Sequence, residues 1–143
     1  MIDAAPGYAG NALTQLCGIK YPILLAGMAA ISGPKLVAAV SNAGGMGTLG
    51  GLRLPPAMLR KWIRETRELT DRPFGVNLVP SFGGPEVFEA QVQVVLQENV
   101  RALSLFYAED YPDVIARAKD AGMVVMVQAG SLALAKLALE RGA

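Results

Sequence analysis

The chain contains no histidine and only one cysteine, Cys17, among its 143 residues. Without histidine it lacks the commonest general base and the commonest transition-metal ligand, so we expect no metal site built by this chain. A single cysteine excludes an internal disulfide framework and agrees with a cytoplasmic protein. The apolar, helical neighbourhood of Cys17 indicates a packing residue.

The chain also lacks an excess of charge of one sign, and it lacks long apolar stretches. The chain has 13 basic and 12 acidic residues and a net charge of +1, so neither nucleic acid nor a membrane surface is expected as a partner. Apolar runs such as residues 123–127 are strand-sized and too short to cross a bilayer. The first residues lack the basic-then-apolar order of a signal peptide. With 52% hydrophobic residues, the chain is long enough for one domain with a substantial core.

Short apolar runs alternate along the chain with longer segments of helical periodicity. The runs are almost continuously hydrophobic, as in parallel strands covered on both faces. The helical segments carry charge on one side, as Arg60, Arg64 and Arg67 do. The predicted strands are residues 22–26, 46–49, 74–78, 102–105 and 124–127, and the predicted helices are residues 9–17, 35–42, 56–70, 86–98, 111–121 and 132–141.

Five successive β–α units predict a parallel sheet with right-handed crossovers in a single domain. Two α/β folds fit this pattern: a doubly wound sheet of five strands, or a (β/α)8 barrel that stops after its fifth helix. Such a barrel typically needs about 250 residues, so length alone favours the doubly wound sheet. A chain that stops there leaves a parallel edge ready for another strand.

Residues 45–50, with Gly45, Gly47 and Gly50, match the dinucleotide-binding pattern G-x-G-x-x-G. That motif must follow a strand and open a helix, so that the pyrophosphate lies on the helix N-terminus. Here the glycines follow a helix, and the residues between them form the predicted strand. We therefore reject a dinucleotide site and interpret the glycines as a helix end and a tight strand entrance.

Asn77 stands near the end of the third predicted strand, before a turn rich in proline and glycine. A polar residue at the carboxyl end of a buried parallel strand points into the ligand crevice of an α/β protein. An uncharged amide donates and accepts hydrogen bonds, which suits the edge of a flat heterocycle better than a phosphate. The alternative is a structural amide whose partners are neighbouring backbone groups.

Three motifs in register resemble the nitronate monooxygenase family, formerly called 2-nitropropane dioxygenases, and its relatives, the FMN-dependent enoyl-acyl-carrier-protein reductases. They are YPILLAGM at residues 21–28, AVSNAGGMG at 39–47 and LTDRPFGVN at 69–77. Residues 122–143 continue the match, with SLALAK at 131–136 similar to the start of the family's fifth helix. The resemblance covers nearly the whole chain.

The resemblance implies a TIM barrel that binds FMN, and so it overturns the preference from length. Residues 1–143 would be the N-terminal part of one FMN-binding barrel domain, with about the first five of its eight units. Strand ends then gather on one face, near Gly50 and Gly51. The cofactor-binding residues that the resemblance implies are Ala26, Gly27, Met28, Asn77 and Gln128. Gly27 would let the backbone approach the flat ring, and Met28 would offer it a polarizable surface.

The family's catalytic histidine and its glycine-rich phosphate loops lie downstream of the matched segments, and this chain contains neither. No catalytic residue is therefore assigned, and whether the chain alone is an enzyme stays open. For the complete enzyme, the resemblance implies FMN-dependent oxidation of a small-molecule substrate, an alkyl nitronate, with O2 as acceptor. One alternative is an enoyl-acyl-carrier-protein reductase that uses NAD(P)H. Another is an inert half-barrel that forms a homo-oligomer through its open edge.

Overall fold

The structure is a computed structural model, and it describes residues 11–80, 83–106 and 112–143. Within these residues helices and strands alternate along the chain. The helices are α1 (Ala12–Cys17), α2 (Pro34–Asn42), α3 (Pro56–Leu69), α4 (Gly84–Glu98), α5 (Pro112–Asp120) and α6 (Leu132–Glu140). The strands are β1 (Gly47–Gly50), β2 (Phe74–Leu78), β3 (Ala102–Phe106) and β4 (Val124–Gln128).

These bounds agree with the predicted elements to within two residues, except at the start of the first helix and at the first predicted strand. The predicted first helix begins at Ala9, outside the described residues, and α1 starts at Ala12 after its cap Asn11, whose side chain accepts a hydrogen bond from the Leu13 amide. Tyr111, the predicted start of the fifth helix, is also outside them. The other exception is the first predicted strand.

The four strands are parallel and lie side by side in the order β1-β2-β3-β4. Doubly wound sheets reverse direction at a switch point, so their spatial order departs from the sequence order. Here each strand pairs with the one before it, and the helices between them carry the crossovers. The described fold is therefore α/β of the TIM-barrel type, and the doubly wound alternative is excluded.

The predicted strand at residues 22–26 is shorter in the structure than the sequence indicated. Among the described residues it pairs with the main sheet only through a parallel bridge between Leu24 and Met46, with hydrogen bonds from Leu25 N to Met46 O and from Met46 N to Ile23 O. Leu24 is 37% and Ile23 61% exposed. A segment with a neighbour on one side only has half of its ladder unpaired, so full strand geometry is not enforced there.

The sheet packs its outer face against the helices. Phe74, Val76 and Leu78 alternate along β2 into this core, where they meet fully buried side chains such as Phe88 and Ile63. Full burial of each such side chain stabilises the fold by about 1.5–3 kcal/mol. The residues between them, Gly75 and Asn77, consequently face the other, inner side.

Cys17 closes the amino end of the inner face together with Met46, Ala102 and Val124. It is fully buried, and burial raises the pKa of its thiol. A buried thiol of raised pKa is a poor nucleophile, which supports its interpretation as a packing residue.

Glu98 joins α3 to α4 through an ion cluster. The three arginines recognised at helical spacing all reach its carboxylate: Arg60 Nη1 at 2.8 Å, Arg64 Nε at 3.0 Å and Arg67 Nη1 at 2.7 Å. Burial on its own raises the pKa of Glu98, but hydrogen bonds from Arg64, Arg60 and Arg67 outweigh it and lower the pKa below its usual range. The charged side of α3 thus has a specific partner.

We predict that Glu98→Gln lowers the free energy of unfolding by about 1–3 kcal/mol, because it removes the charge that three partly exposed arginines share. Since the folded pKa is lowered, this stabilisation is present at neutral pH and is lost as the pH falls below about 4. Urea unfolding at several pH values measures it. Glu68→Gln, at an exposed position of α3, is the matched control. An equal effect of both variants, or a difference that does not shrink in acid, would contradict the prediction.

Candidate functional site

One row of paired residues crosses the sheet from the carboxyl end of β1, through the last but one residue of β2, to the middle of β3 and β4. Gly50 of β1 pairs with Asn77 of β2, Asn77 pairs with Ser104 of β3, and Ser104 pairs with Met126 of β4. Since paired residues of a parallel sheet point to the same face, these side chains lie together on the inner face. The row places an amide, a hydroxyl and a thioether next to one another, beside a position without a side chain.

Asn77 is 9% exposed and only weakly bonded. Its Nδ2 donates to Ser104 O at 3.3 Å and to Ser104 Oγ at 3.4 Å, both at the long end of hydrogen-bond geometry. Within the described residues its Oδ1 accepts no hydrogen bond, and no buried side-chain nitrogen or oxygen atom lacks a partner. The Oδ1 atom therefore keeps an acceptor that a ligand could use.

Gly27 contacts Asn77 directly. A Cβ atom at Gly27 would lie 2.2 Å from the Cβ of Asn77 and 2.9 Å from its Cγ, which is closer than atoms can approach. The family resemblance implies that this glycine lets a ring approach closely, whereas in the structure the space that it leaves is taken by Asn77. The turn that contains Ala26, Gly27 and Met28 is thus packed against the predicted site amide.

The same turn also packs on β1. A Cβ atom at Gly50 would lie 2.3 Å from the Met28 carbonyl oxygen, and one at Gly51 would lie 2.6 Å from the Asn77 carbonyl oxygen. The Gly51 amide donates to that Asn77 oxygen at 2.8 Å. Small residues here serve close backbone packing at the mouth of the strands, with the Met28 side chain 38% exposed beside it.

Gln128 lies apart from the other predicted site residues. It ends β4, is exposed, and pairs with Phe106 rather than with the row of Asn77. Two strand spacings put it about 10 Å away across the sheet, and it lies two residues further along its own strand. The structure thus brings Ala26, Gly27, Met28 and Asn77 together, and places Gln128 at the rim of the same strand ends.

Three further polar residues support this end of the sheet and were not selected from the sequence. Ser104 accepts from Asn77, as described above. Gln91 of α4 is 3% exposed and donates from Nε2 to Gly51 O at 3.0 Å and to Leu54 O at 2.7 Å, which fixes the loop after β1. Ser32 lies under the turn at residues 26–31. For Gln91 the sequence did hold a signal, because a polar residue within the apolar stripe of a helix indicates a buried side chain with a specific hydrogen-bond partner.

The part of the chain that the structure describes contains neither a metal-binding cluster nor a membrane-spanning helix. No group of three or more histidine, cysteine, aspartate or glutamate side chains there could hold a metal ion. None of its helices combines the length and apolar character that crossing a bilayer requires.

A sequential parallel sheet with covering helices defines an α/β domain of the TIM-barrel type. Residues 10–83, just over half of the chain, match the family model described as nitronate monooxygenase. The chain therefore belongs to the nitronate monooxygenase family, a family of flavin-dependent oxidoreductases, and corresponds to its N-terminal portion.

Relatives and solved structures agree with this assignment. A probable nitronate monooxygenase of Staphylococcus aureus is 51% identical over 72 residues, 50% of this chain and 20% of that protein. A (3aS,4S,5R,7aS)-5-hydroxy-7a-methyl-1-oxo-octahydro-1H-indene-4-carboxyl-CoA dehydrogenase of Rhodococcus jostii is 36% identical over 93% of this chain and 36% of that protein.

Two solved structures have similar folds. FabK from Thermotoga maritima gives a TM-score of 0.86 at 37% identity, covering 92% of this chain and 41% of that one. Nitroalkane oxidase from Streptomyces ansochromogenes gives 0.80 at 29% identity, covering 92% and 46%. The chain spans less than half the length of each of these four proteins.

We predict that Gly27→Ala lowers the free energy of unfolding by about 1–3 kcal/mol, because the new methyl group must displace Asn77 or the turn. Gly130→Ala is the matched control, since a Cβ atom there meets nothing within 4 Å. Urea unfolding of both variants measures the difference. A Gly27→Ala protein as stable as the Gly130→Ala protein would show that the turn does not pack against Asn77 in solution.

Proposed function

We propose that this chain supplies the ring-binding half of an FMN site, and that the complete enzyme oxidises alkyl nitronates with O2 as electron acceptor. The observation that carries the proposal is the Oδ1 acceptor of Asn77 in the row of paired residues, in a chain of this family. When bound, FMN supplies the electron-transfer chemistry, and the protein orients and tunes it.

The residues at the strand ends fit a flat heteroaromatic ring. Asn77 can accept from and donate to the polar edge of such a ring, and Ser104 next to it adds a hydroxyl. Met28, at the mouth, offers a soft surface to the ring face. Ala26 and Gly27 would border the ring through their backbone, and Gln128 would reach it from the rim. The fit concerns the ring, because the resemblance places the phosphate loops downstream of these units.

Under this proposal the chain binds and orients, and the proton transfer belongs to a residue outside it. Among the side chains at the strand ends, Asn77, Ser104 and Gln128 are uncharged amides and a hydroxyl, which are poor general bases at neutral pH. That composition agrees with a site whose base comes from the family's downstream histidine.

We predict that the chain, incubated with FMN and desalted, keeps a visible flavin absorption band, and that Asn77→Ala weakens FMN binding about tenfold by removing its ring hydrogen bonds. Gln93→Ala is the matched control: it removes an exposed amide that donates to Glu89 on the far side of α4. A colourless wild-type chain, or equal losses in both variants, would contradict a ring site at Asn77.

A second candidate reaction is reduction of an enoyl thioester, with hydride taken from NAD(P)H. Its support is that the FabK structure resembles this chain more closely than the nitroalkane oxidase does, and that the substrate named for the Rhodococcus jostii relative is a CoA thioester. In the first reaction electrons would pass from the substrate to the flavin. In the second they would pass from the reduced flavin to the substrate.

We predict that the flavin of the complete FMN-loaded enzyme is bleached anaerobically by propyl-2-nitronate and not by NADPH. The reason is that a nitronate oxidase takes its electrons from the substrate, whereas the reductase must take them from the nicotinamide. Absorbance of the oxidised flavin near its visible maximum follows both titrations. Bleaching by NADPH alone would contradict the first candidate and favour the reductase.

A third candidate concerns the chain by itself: an inert half-barrel that associates with a second copy through its open edges. Large apolar side chains are exposed at both sides of the described sheet, at Ile23 by the bridge and at Leu132 and Leu139 on α6. Exposed apolar surface of this kind is commonly covered by association. A flavin-free oligomer in analytical ultracentrifugation would support this candidate, and a flavin-containing monomer would contradict it.

A further inference from the structure

Ser32 lies beneath an exposed turn. Its side chain is fully buried, at 0% exposure, whereas Met28 and Ile31 above it are 38% and 65% exposed. A buried hydroxyl needs partners, since an unpaired one costs about 1–3 kcal/mol. The partners of Ser32 are the backbone groups of the turn itself.

Four hydrogen bonds connect Ser32 to the site. Its Oγ donates to Ala26 O at 2.8 Å and accepts from Met28 N at 3.1 Å. Its backbone N donates to Met28 O at 2.9 Å, and its backbone O accepts from Gly50 N at 3.1 Å. Ser32 thereby fastens both ends of the segment 26–28 and joins it to the carboxyl end of β1.

The turn needs such fastening because its backbone is strained. Ala30 has a φ of 57°, in the left-handed region that residues with a Cβ atom rarely adopt. A conformation of this kind persists only where the surroundings enforce it. The hydroxyl of Ser32 supplies two of the restraints.

We propose that Ser32 is a positioning residue for the ring site: it holds Gly27 against Asn77 and Met28 at the mouth. Gly27 touches the Asn77 side chain so closely that a shift of the turn must change the surroundings of that amide. The inference rests on the proposed flavin function for its ligand. Its structural part, the fixing of the turn by the Ser32 hydroxyl, can be tested without flavin.

Ser41 provides a control with the same chemistry at the opposite end of the sheet. It is 1% exposed, its Oγ donates to Pro73 O at 2.9 Å, and the same atom accepts from Gly47 N at 3.0 Å. Each serine thus bridges one carbonyl and one amide from inside the protein. Loss of either hydroxyl should destabilise the fold comparably, but only Ser32 lies under the candidate site.

The experiment compares Ser32→Ala and Ser41→Ala in the full chain. The Met28 amide donates both to Ser32 Oγ and to Ala26 O, at 3.0 Å, and the Ser32 hydroxyl also holds Ala26 O. In the flavin-free protein we expect this amide, measured by hydrogen exchange, to exchange at least about tenfold faster in Ser32→Ala than in Ser41→Ala, because it loses one acceptor and the other is no longer fixed. In FMN titrations we expect Ser32→Ala to raise the dissociation constant about tenfold and to alter the visible spectrum of the bound flavin, and Ser41→Ala to do neither. Ser32→Cys keeps the shape with a slightly larger atom and a weaker donor, and replaces Ser32→Ala should that variant not fold.

Equal Met28 exchange in the two alanine variants would overturn the inference, as would equal changes of the FMN dissociation constant. Fast Met28 exchange confined to Ser32→Ala supports the positioning of the turn whether or not FMN is retained. If the wild-type chain takes up no FMN while that exchange difference is present, the flavin proposal fails and the positioning of the turn by Ser32 stands.

Discussion

The parallel register of β1, β2 and β3 is the constraint on which the rest of this structure depends. It aligns Gly50, Asn77 and Ser104 at one level, so that an amide and a hydroxyl lie next to the bare backbone at the carboxyl end of β1. Because β1 carries glycine at both ends, α2 and the turn at 26–31 can lie directly against it. A Cβ atom at Gly47 would come within 2.2 Å of the Val37 carbonyl oxygen, so α2 could not pack there with any larger residue.

The glycine pattern at residues 45–50 fits two kinds of structure. Residues 45–50 carry the spacing of a dinucleotide loop, yet Gly47–Gly50 is a strand that leads into a loop held by Gln91. Glycine serves strand-to-helix packing here rather than phosphate binding. The order of elements, helix before glycine rather than strand before glycine, was enough to distinguish the two interpretations from the sequence.

Local patterns in the sequence predicted the helices and the four strands well, because apolar runs, prolines at helix starts and glycines at helix ends are properties of neighbouring residues. The first strand was over-predicted, since strand length at Leu24 depends on a neighbour on each side. The choice between barrel and doubly wound sheet required the family resemblance. Length alone favoured the wrong fold.

The sequence predicted the site residues that follow from strand ends and family motifs. It did not predict the residues whose hydrogen-bond partners lie far away along the chain. Asn77 followed from its place in β2 and Gly27 from the family motif. Ser32, Ser104 and Gln91 act on backbone groups of other segments, such as Gly51 O for Gln91, 40 residues away. No local pattern reveals such a partner. Glu98 is a similar case, because the spacing of its arginines was visible and their shared carboxylate was not.

The most direct measurement of the central claim is a titration of the isotope-labelled chain with FMN, followed by the NMR signals of its side-chain amides. The account predicts that the Asn77 Nδ2 resonances shift on binding, whereas those of Gln93, on the exposed side of α4, stay in place. Shifts at Gln93 or at neither residue would contradict a ring site at the carboxyl end of β2.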